Sequence, residues 1–177
     1  MSLNNISETN VKDKLVLLRI DINSPVVNGK IVESLRFKEA SETIKYLKKK
    51  KARIVIIAHQ GRKGYSDFTS LRQHANILSL YLKSKVKYVD DLFGEKAKKK
   101  ILNMKLGEII LLKNVREFKD EINVKNRYVE FSKMFDLYVN EAFSVSHRKQ
   151  NSVIVPPRVI PSYIGFNFHK ELKALSK

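Results

Sequence analysis

In the stretch VLLRIDINSP, residues 16–25, Arg19, Asp21 and Asn23 alternate with the aliphatic side chains of Leu18, Ile20 and Ile22. On a β-strand successive side chains point to opposite faces, so this spacing predicts a cation, a carboxylate and an amide in one row. Three later segments carry the same kinds of group. AHQGRKG contains His59 and Arg62, KNVREF contains Asn114 and Arg116, and NEAFSVSHRKQ contains Asn140, His147 and Arg148. Arginine presents a planar fork of donors that matches a phosphate or carboxylate bidentately. Several such forks among histidine and asparagine donors would make a pocket for a small, highly charged anion.

Those residues need a scaffold that brings distant segments together. Apolar runs of strand length recur at Leu15–Ile20, Ile54–Ala58, Val86–Val89, Ile109–Leu112 and Leu137–Val139. Between them, Phe37, Ala40, Ile44 and Leu47 repeat at helical spacing, as do Leu71, Ala75, Leu78 and Leu82. Ala97, Ile101 and Met104 predict a third helix starting near Gly94, and Tyr128, Phe131 and Phe135 a fourth. Strands apolar on both faces, alternating with helices, predict a parallel sheet covered by helices. In such sheets ligands bind beyond the carboxyl ends of the strands. Four of the five runs lead into the polar segments above, whereas the run ending at Asp90-Asp91 does not.

Composition narrows the function classes. The 177 residues suit one domain, or at most two small ones, and contain no cysteine, which excludes disulfides and thiolate metal sites and agrees with a reducing compartment. No apolar run approaches the roughly 20 residues that cross a bilayer, and the polar start MSLNNISETN lacks the pattern of a signal peptide. The expectation is a cytoplasmic protein with no membrane partner. Lysine supplies most of a net charge of +17, in runs such as Lys48–Lys51 and Lys98–Lys100. That charge suits nucleic acid or anionic metabolites, or simply solvated helix ends. No dinucleotide fingerprint, P-loop, metal-ligand spacing or nucleophile elbow occurs. Taken singly the polar residues stay ambiguous. His59 can be a satisfied structural histidine, Arg19 can pair with Asp21 or another acid, and Gly61 and Gly64 can serve a turn.

Taken in order, LLRIDINSPVVNGKI…SLR, IAHQGRKG, SLRQHANIL, YVDDLFG, GEIILLKNVREF, DLYVNEAFSVSHR and PSYIGFNFHKEL resemble the motifs of phosphoglycerate kinases, over Leu15 to Leu172. The resemblance implies the substrate-binding half of that enzyme: an α/β, Rossmann-like parallel sheet of about six strands in three αβα layers. It implies phosphoryl transfer to a carboxyl acceptor, between 1,3-bisphosphoglycerate with ADP and 3-phosphoglycerate with ATP, in glycolysis and gluconeogenesis. It places Asp21 and Asn23 on the glycerate, and His59, Arg62, Arg116 and Arg148 on the phosphate that is not transferred. Arg36 would be the catalytic residue, stabilising charge on the transferring phosphoryl group. Arg19 would brace Asp21, and Asn140 and His147 would support the site from behind.

Residues 1–10 are expected to be a polar lead-in, 11–168 the substrate-binding domain, and 169–177 the start of an interdomain helix, with the helical pattern visible from Glu171. No metal site is expected in this chain. MgATP or MgADP would sit on a C-terminal nucleotide domain with no counterpart in these residues, which leaves the chain inactive by itself. Lys113, Glu141 and Ser144 depart from the family pattern, the longer Glu141 being expected to shift the turn that carries His147 and Arg148. The competing reading is a basic nucleic-acid-binding module or a non-catalytic anion binder. The absence of a ribonucleoprotein aromatic motif disfavours nucleic acid.

Overall fold

A computed structural model describes residues 4–175. Its centre is a parallel six-stranded sheet in the order β5-β6-β4-β1-β7-β8. The strands are β1 (Leu15–Arg19), β4 (Arg53–Ile57), β5 (Val86–Tyr88), β6 (Ile109–Leu111), β7 (Leu137–Asn140) and β8 (Ser162–Ile164). β1 lies between β4 and β7, with Val16 opposite Ile54 on one side and Leu137 on the other. The chain therefore builds outward from β1 in one direction and later in the other. This makes the carboxyl end of β1 a topological switch point, where a crevice opens.

Every residue of β1 is buried, and its alternation sorts the side chains into two cores. Val16 and Leu18 meet Phe37, Ala40, Ile44 and Leu47 of α1 (Leu35–Lys49) and Ala75 and Leu78 of α2 (Arg72–Leu82). Leu15 and Leu17 meet Ala97 and Ile101 of α3 (Glu95–Leu102) and Tyr128 and Phe131 of α4 (Asn126–Ser132). These are the three expected layers. Four helices form where the periodicity predicts them, each laying its apolar stripe on the sheet, although Met104 and Phe135 lie beyond the ends of α3 and α4.

Several features were not legible in the apolar pattern. A two-stranded hairpin, β2 (Val26–Val27) with β3 (Lys30–Ile31), turns through Asn28 and Gly29 at φ 49° and 72°. That Asn-Gly pair was the available signal. β8 is a short edge strand just after Pro161, and α5 (Asn151–Ile154) is a single turn. The polar start is folded in part: Asn5 caps a 3-10 turn at Ile6–Glu8, Ile6 is fully buried and Asn5 bridges to Ile164. The last helix, α6 (Phe166–Leu175), begins before Glu171, because Glu141 accepts the amide hydrogens of Asn167 and Phe168 in its first turn. Residues 1–3 and 176–177 of the expected end segments lie outside the described residues.

Candidate functional site

The strands' carboxyl ends release the polar segments to one edge of the sheet. Beyond β1, Asp21 accepts from the backbone amide of Asn23 at 3.0 Å, and its other carboxylate oxygen is shared by the Arg36 guanidinium and the Ser144 hydroxyl. Arg36 comes from the first turn of α1 and Ser144 from the 3-10 turn Phe143–Val145 after β7. Three segments thus meet on one carboxylate. Asn23 accepts the Gly61 amide hydrogen at 2.7 Å, which fixes its carboxamide oxygen on the Gly61 turn and leaves the NH2 group as its remaining donor.

The loop after β4 is held by a polar lattice that the strand-end reading missed. Gln60 accepts from the Ser24 amide at 2.9 Å and from His74 Nε2 at 3.0 Å, while its own amide donates to Ser24 and Asp67 carbonyls at 2.9 and 3.0 Å. Asn114 donates to the carbonyls of Gln60 and Thr69 at 2.8 and 3.1 Å and accepts from the Arg116 amide at 3.2 Å. Both amides are fully buried with their hydrogen-bonding capacity used, which makes this loop rigid. Gly61 sits at φ +61°, where a Cβ would lie 2.3 Å from the Asp67 carbonyl oxygen. Gly61→Ala is expected to cost about 2 kcal/mol of stability, read from denaturant melts, since left-handed backbone and a backbone clash add together.

Arg62, Arg116 and Arg148 line one cleft of about 470 Å³, a volume within the range of small-molecule sites. Arg116 is half-buried and donates to the Gly61 carbonyl; burial and the neighbouring Arg148 and Arg19 guanidinium groups push its pKa down. Arg62 and Arg148 are exposed at the rim. His59 is nearly fully buried behind them, and burial with the fields of Arg19, Arg116, Arg148 and Arg36 holds its pKa well below the usual imidazole range. Such a convergence of cations is self-repelling and is relieved by a bound anion.

Arg19 does not brace Asp21: it enters the core on the Leu15–Leu17 face and bonds Ser152, the Ile20 carbonyl and His59 instead. Asp21 and Asn23 lie past the end of β1, so the expected polar row divides. Asn140 accepts from the Ala142 amide at 2.9 Å and shapes the turn. His147 is exposed, and its side chain makes no hydrogen bond among the described residues. Glu141 accepts from the Thr43 hydroxyl and the first amides of α6 while lining the pocket of Asp21, Arg36 and Ser144, and Lys113 pairs with Asp90 and Glu117 at 3.3 and 3.0 Å.

Comparison with known proteins places this geometry. The family model described as phosphoglycerate kinase matches residues 6–177. The chain belongs to the phosphoglycerate kinase family. The phosphoglycerate kinase of Pyrobaculum aerophilum is 42% identical over 97% of the chain, which spans 44% of that protein. That of Saccharolobus solfataricus is 40% identical over the whole chain and 46% of its own length. The crystal structure of phosphoglycerate kinase from Pyrococcus horikoshii superposes with a TM-score of 0.93 at 36% identity, covering 98% of this chain and 45% of that one. The corresponding structure from Coxiella burnetii gives 0.85 at 31% identity, over 99% and 44%. The chain spans less than half the length of these phosphoglycerate kinases, and the Rossmann-like α/β expectation holds over all its described residues.

Proposed function

We propose that this chain holds 3-phosphoglycerate or 1,3-bisphosphoglycerate for reversible phosphoryl transfer. The observation that carries this reading is the single cleft lined by Arg62, Arg116 and Arg148, at the same sheet edge as the Asp21–Arg36 pair, whose own pocket Ser144 also lines. In this reading the cleft takes the phosphate that stays on the substrate, with His59 behind it. Asp21 and the Asn23 amide contact the glycerate oxygens. Arg36 exchanges its bond to Asp21 for the carboxylate or acyl phosphate, where its charge stabilises the transferring group. Arg19, Asn140 and the Gln60–Asn114 lattice position these groups.

The residues present do not fit a magnesium–nucleotide site. The described residues contain no cluster of three or more His, Cys, Asp or Glu side chains suited to a metal, and the sequence contains no glycine-rich phosphate loop. This chain's part in the reaction is therefore binding and orientation, and MgATP or MgADP belongs to a separate nucleotide-binding domain that closes over the substrate and excludes water. By itself the chain transfers phosphate negligibly. No helix among the described residues is long and apolar enough to cross a membrane, and a cytoplasmic setting fits the reading.

Titration with 3-phosphoglycerate, followed by amide NMR shifts at moderate salt, tests the proposal, with ATP and an RNA oligomer as comparators. Saturable shifts around His59, Arg62, Arg116 and Arg148 are expected, with little response to ATP. Silence at those residues removes the reading, and a steeply salt-dependent RNA response through the lysine runs would favour the basic-module alternative. Arg36→Ala and Arg62→Ala are each expected to weaken binding about tenfold, the modest loss of an exposed, screened cation.

A further inference from the structure

We propose that Glu121 and Ser152, acting through the buried guanidinium of Arg19, hold His59 as the neutral imidazole with its proton on Nε2. The contacts run in one line across the core. Tyr128 donates its hydroxyl hydrogen to Glu121 Oε2 at 2.6 Å, and Ser152 donates to Glu121 Oε1 at 2.7 Å. Arg19 Nε donates to the same serine oxygen at 3.2 Å, and Arg19 Nη2 faces His59 Nδ1 at 3.0 Å. Arg19 and Ser152 are fully buried and Glu121 is nearly so.

The proton assignment follows from the inventory of donors. A guanidinium carries only donors, so the ring nitrogen facing it must supply a lone pair. A neutral imidazole has one N–H, and with Nδ1 accepting, that hydrogen sits on Nε2. A second proton would set N–H against N–H and add a cation to the field of Arg19, Arg116, Arg148 and Arg36. Among the described residues Nε2 has no hydrogen-bond partner, so its N–H is the ring's free donor.

Glu121 is what allows Arg19 to occupy this place. A guanidinium without water or a counter-charge is strongly disfavoured in a core. The Ser152 hydroxyl has one hydrogen, given to Glu121, and an oxygen that accepts from Arg19, so it joins cation and anion with its donor used. Glu121 reaches the line from the 3-10 turn Lys119–Glu121 after β6, and Ser152 from α5 after β7. The tautomer of one strand-end histidine is thus set by the loops of two other strands. Its consequence for ligand rests on the proposed function: a phosphate meets an N–H donor at His59 rather than a lone pair. Arg19 and Ser152 are then positioning residues that do not line the arginine cleft, and Glu121, which does border it, acts on His59 through them.

The test reads the His59 ring nitrogens in the 15N-labelled chain without ligand. A pyridine-like Nδ1 and a pyrrole-like Nε2, unchanged from pH 8 to pH 5, are expected. Ser152→Ala is expected to move both nitrogens toward exchange-averaged values and to weaken 3-phosphoglycerate binding ~10-fold, the loss of one charge-assisted hydrogen bond. Ser152→Thr, which keeps the hydroxyl, should restore both. Tyr128→Phe perturbs Glu121 more gently and serves if Ser152→Ala does not fold. A proton on Nδ1 in the parent chain, ordinary imidazole titration, or ring shifts indifferent to both variants would each overturn the proposal. If the ring behaves as stated and phosphoglycerate does not bind, the assignment stands and the proposed function fails.

Discussion

Arg116→Ala is expected to weaken 3-phosphoglycerate binding about 50-fold, or ~2.3 kcal/mol, more than alanine at Arg62 or Arg36. Environment decides the ranking. Arg62 and Arg148 are exposed, where water and salt screen a charge pair. Arg116 is half-buried against the Gly61 carbonyl and between two other guanidinium groups, so an anion there meets a less screened charge. Its guanidinium also helps hold the Gly61 turn. Arg116→Lys separates the two contributions: it retains the charge but loses the fork, and should recover only part of the affinity. Calorimetric titration in low and moderate salt is the measurement. Equal losses for Arg116→Ala and Arg62→Ala would refute the argument from burial.

The second large effect is a pair of opposed pH dependences. Burial pushes the Glu141 carboxyl up to about 7 from 4.5, despite hydrogen bonds from Thr43, Asn167 and Phe168 and with the nearby Glu42 adding to the rise. Between those values the folded chain keeps a proton that the unfolded chain has released. Stability from this group therefore falls as pH rises from about 4.5 to 7, by about 3 kcal/mol. His74 runs the other way. Burial pushes its pKa down to about 4 from 6.5, and its Nδ1 is buried with no hydrogen-bond partner. Stability from His74 is present above 6.5 and is lost, again by about 3 kcal/mol, as pH falls toward 4.

The two groups mask each other in the parent chain, so each must be removed in turn. In Glu141→Gln, stability should rise more steeply with pH than in the parent; in His74→Gln it should fall. Urea melts at half-unit intervals from pH 4 to 8 give the slopes, and variant curves parallel to the parent's would contradict the assignment. Glu141 also joins the turn after β7 to the start of α6. A Cβ on Gly165 would lie 2.1 Å from its carboxylate, so the longer acid in place of the family's aspartate fits only beside glycine.

Much of this molecule was readable along the chain. Apolar runs of strand length between helical stripes determined the parallel layered sheet, because burial on both faces leaves no other pattern for such a strand. The residues following those runs determined which arginines, histidines and amides meet, since parallel strands bring all their carboxyl ends to one edge. Short elements with few apolar residues, such as β8, lay below that signal. Residue order could place Arg19, Asp21 and Asn23 on one strand but could not say where the strand ends. The tertiary structure alone decided that Arg19 turns into the core toward Ser152 and His59, while Asp21 reaches Arg36 and Ser144 at the rim. It also chose Glu121, Gln60 and Thr43 as the partners that satisfy buried polar groups. Those choices join residues far apart in the chain, and a buried donor takes whichever acceptor the packing of the layers brings within reach.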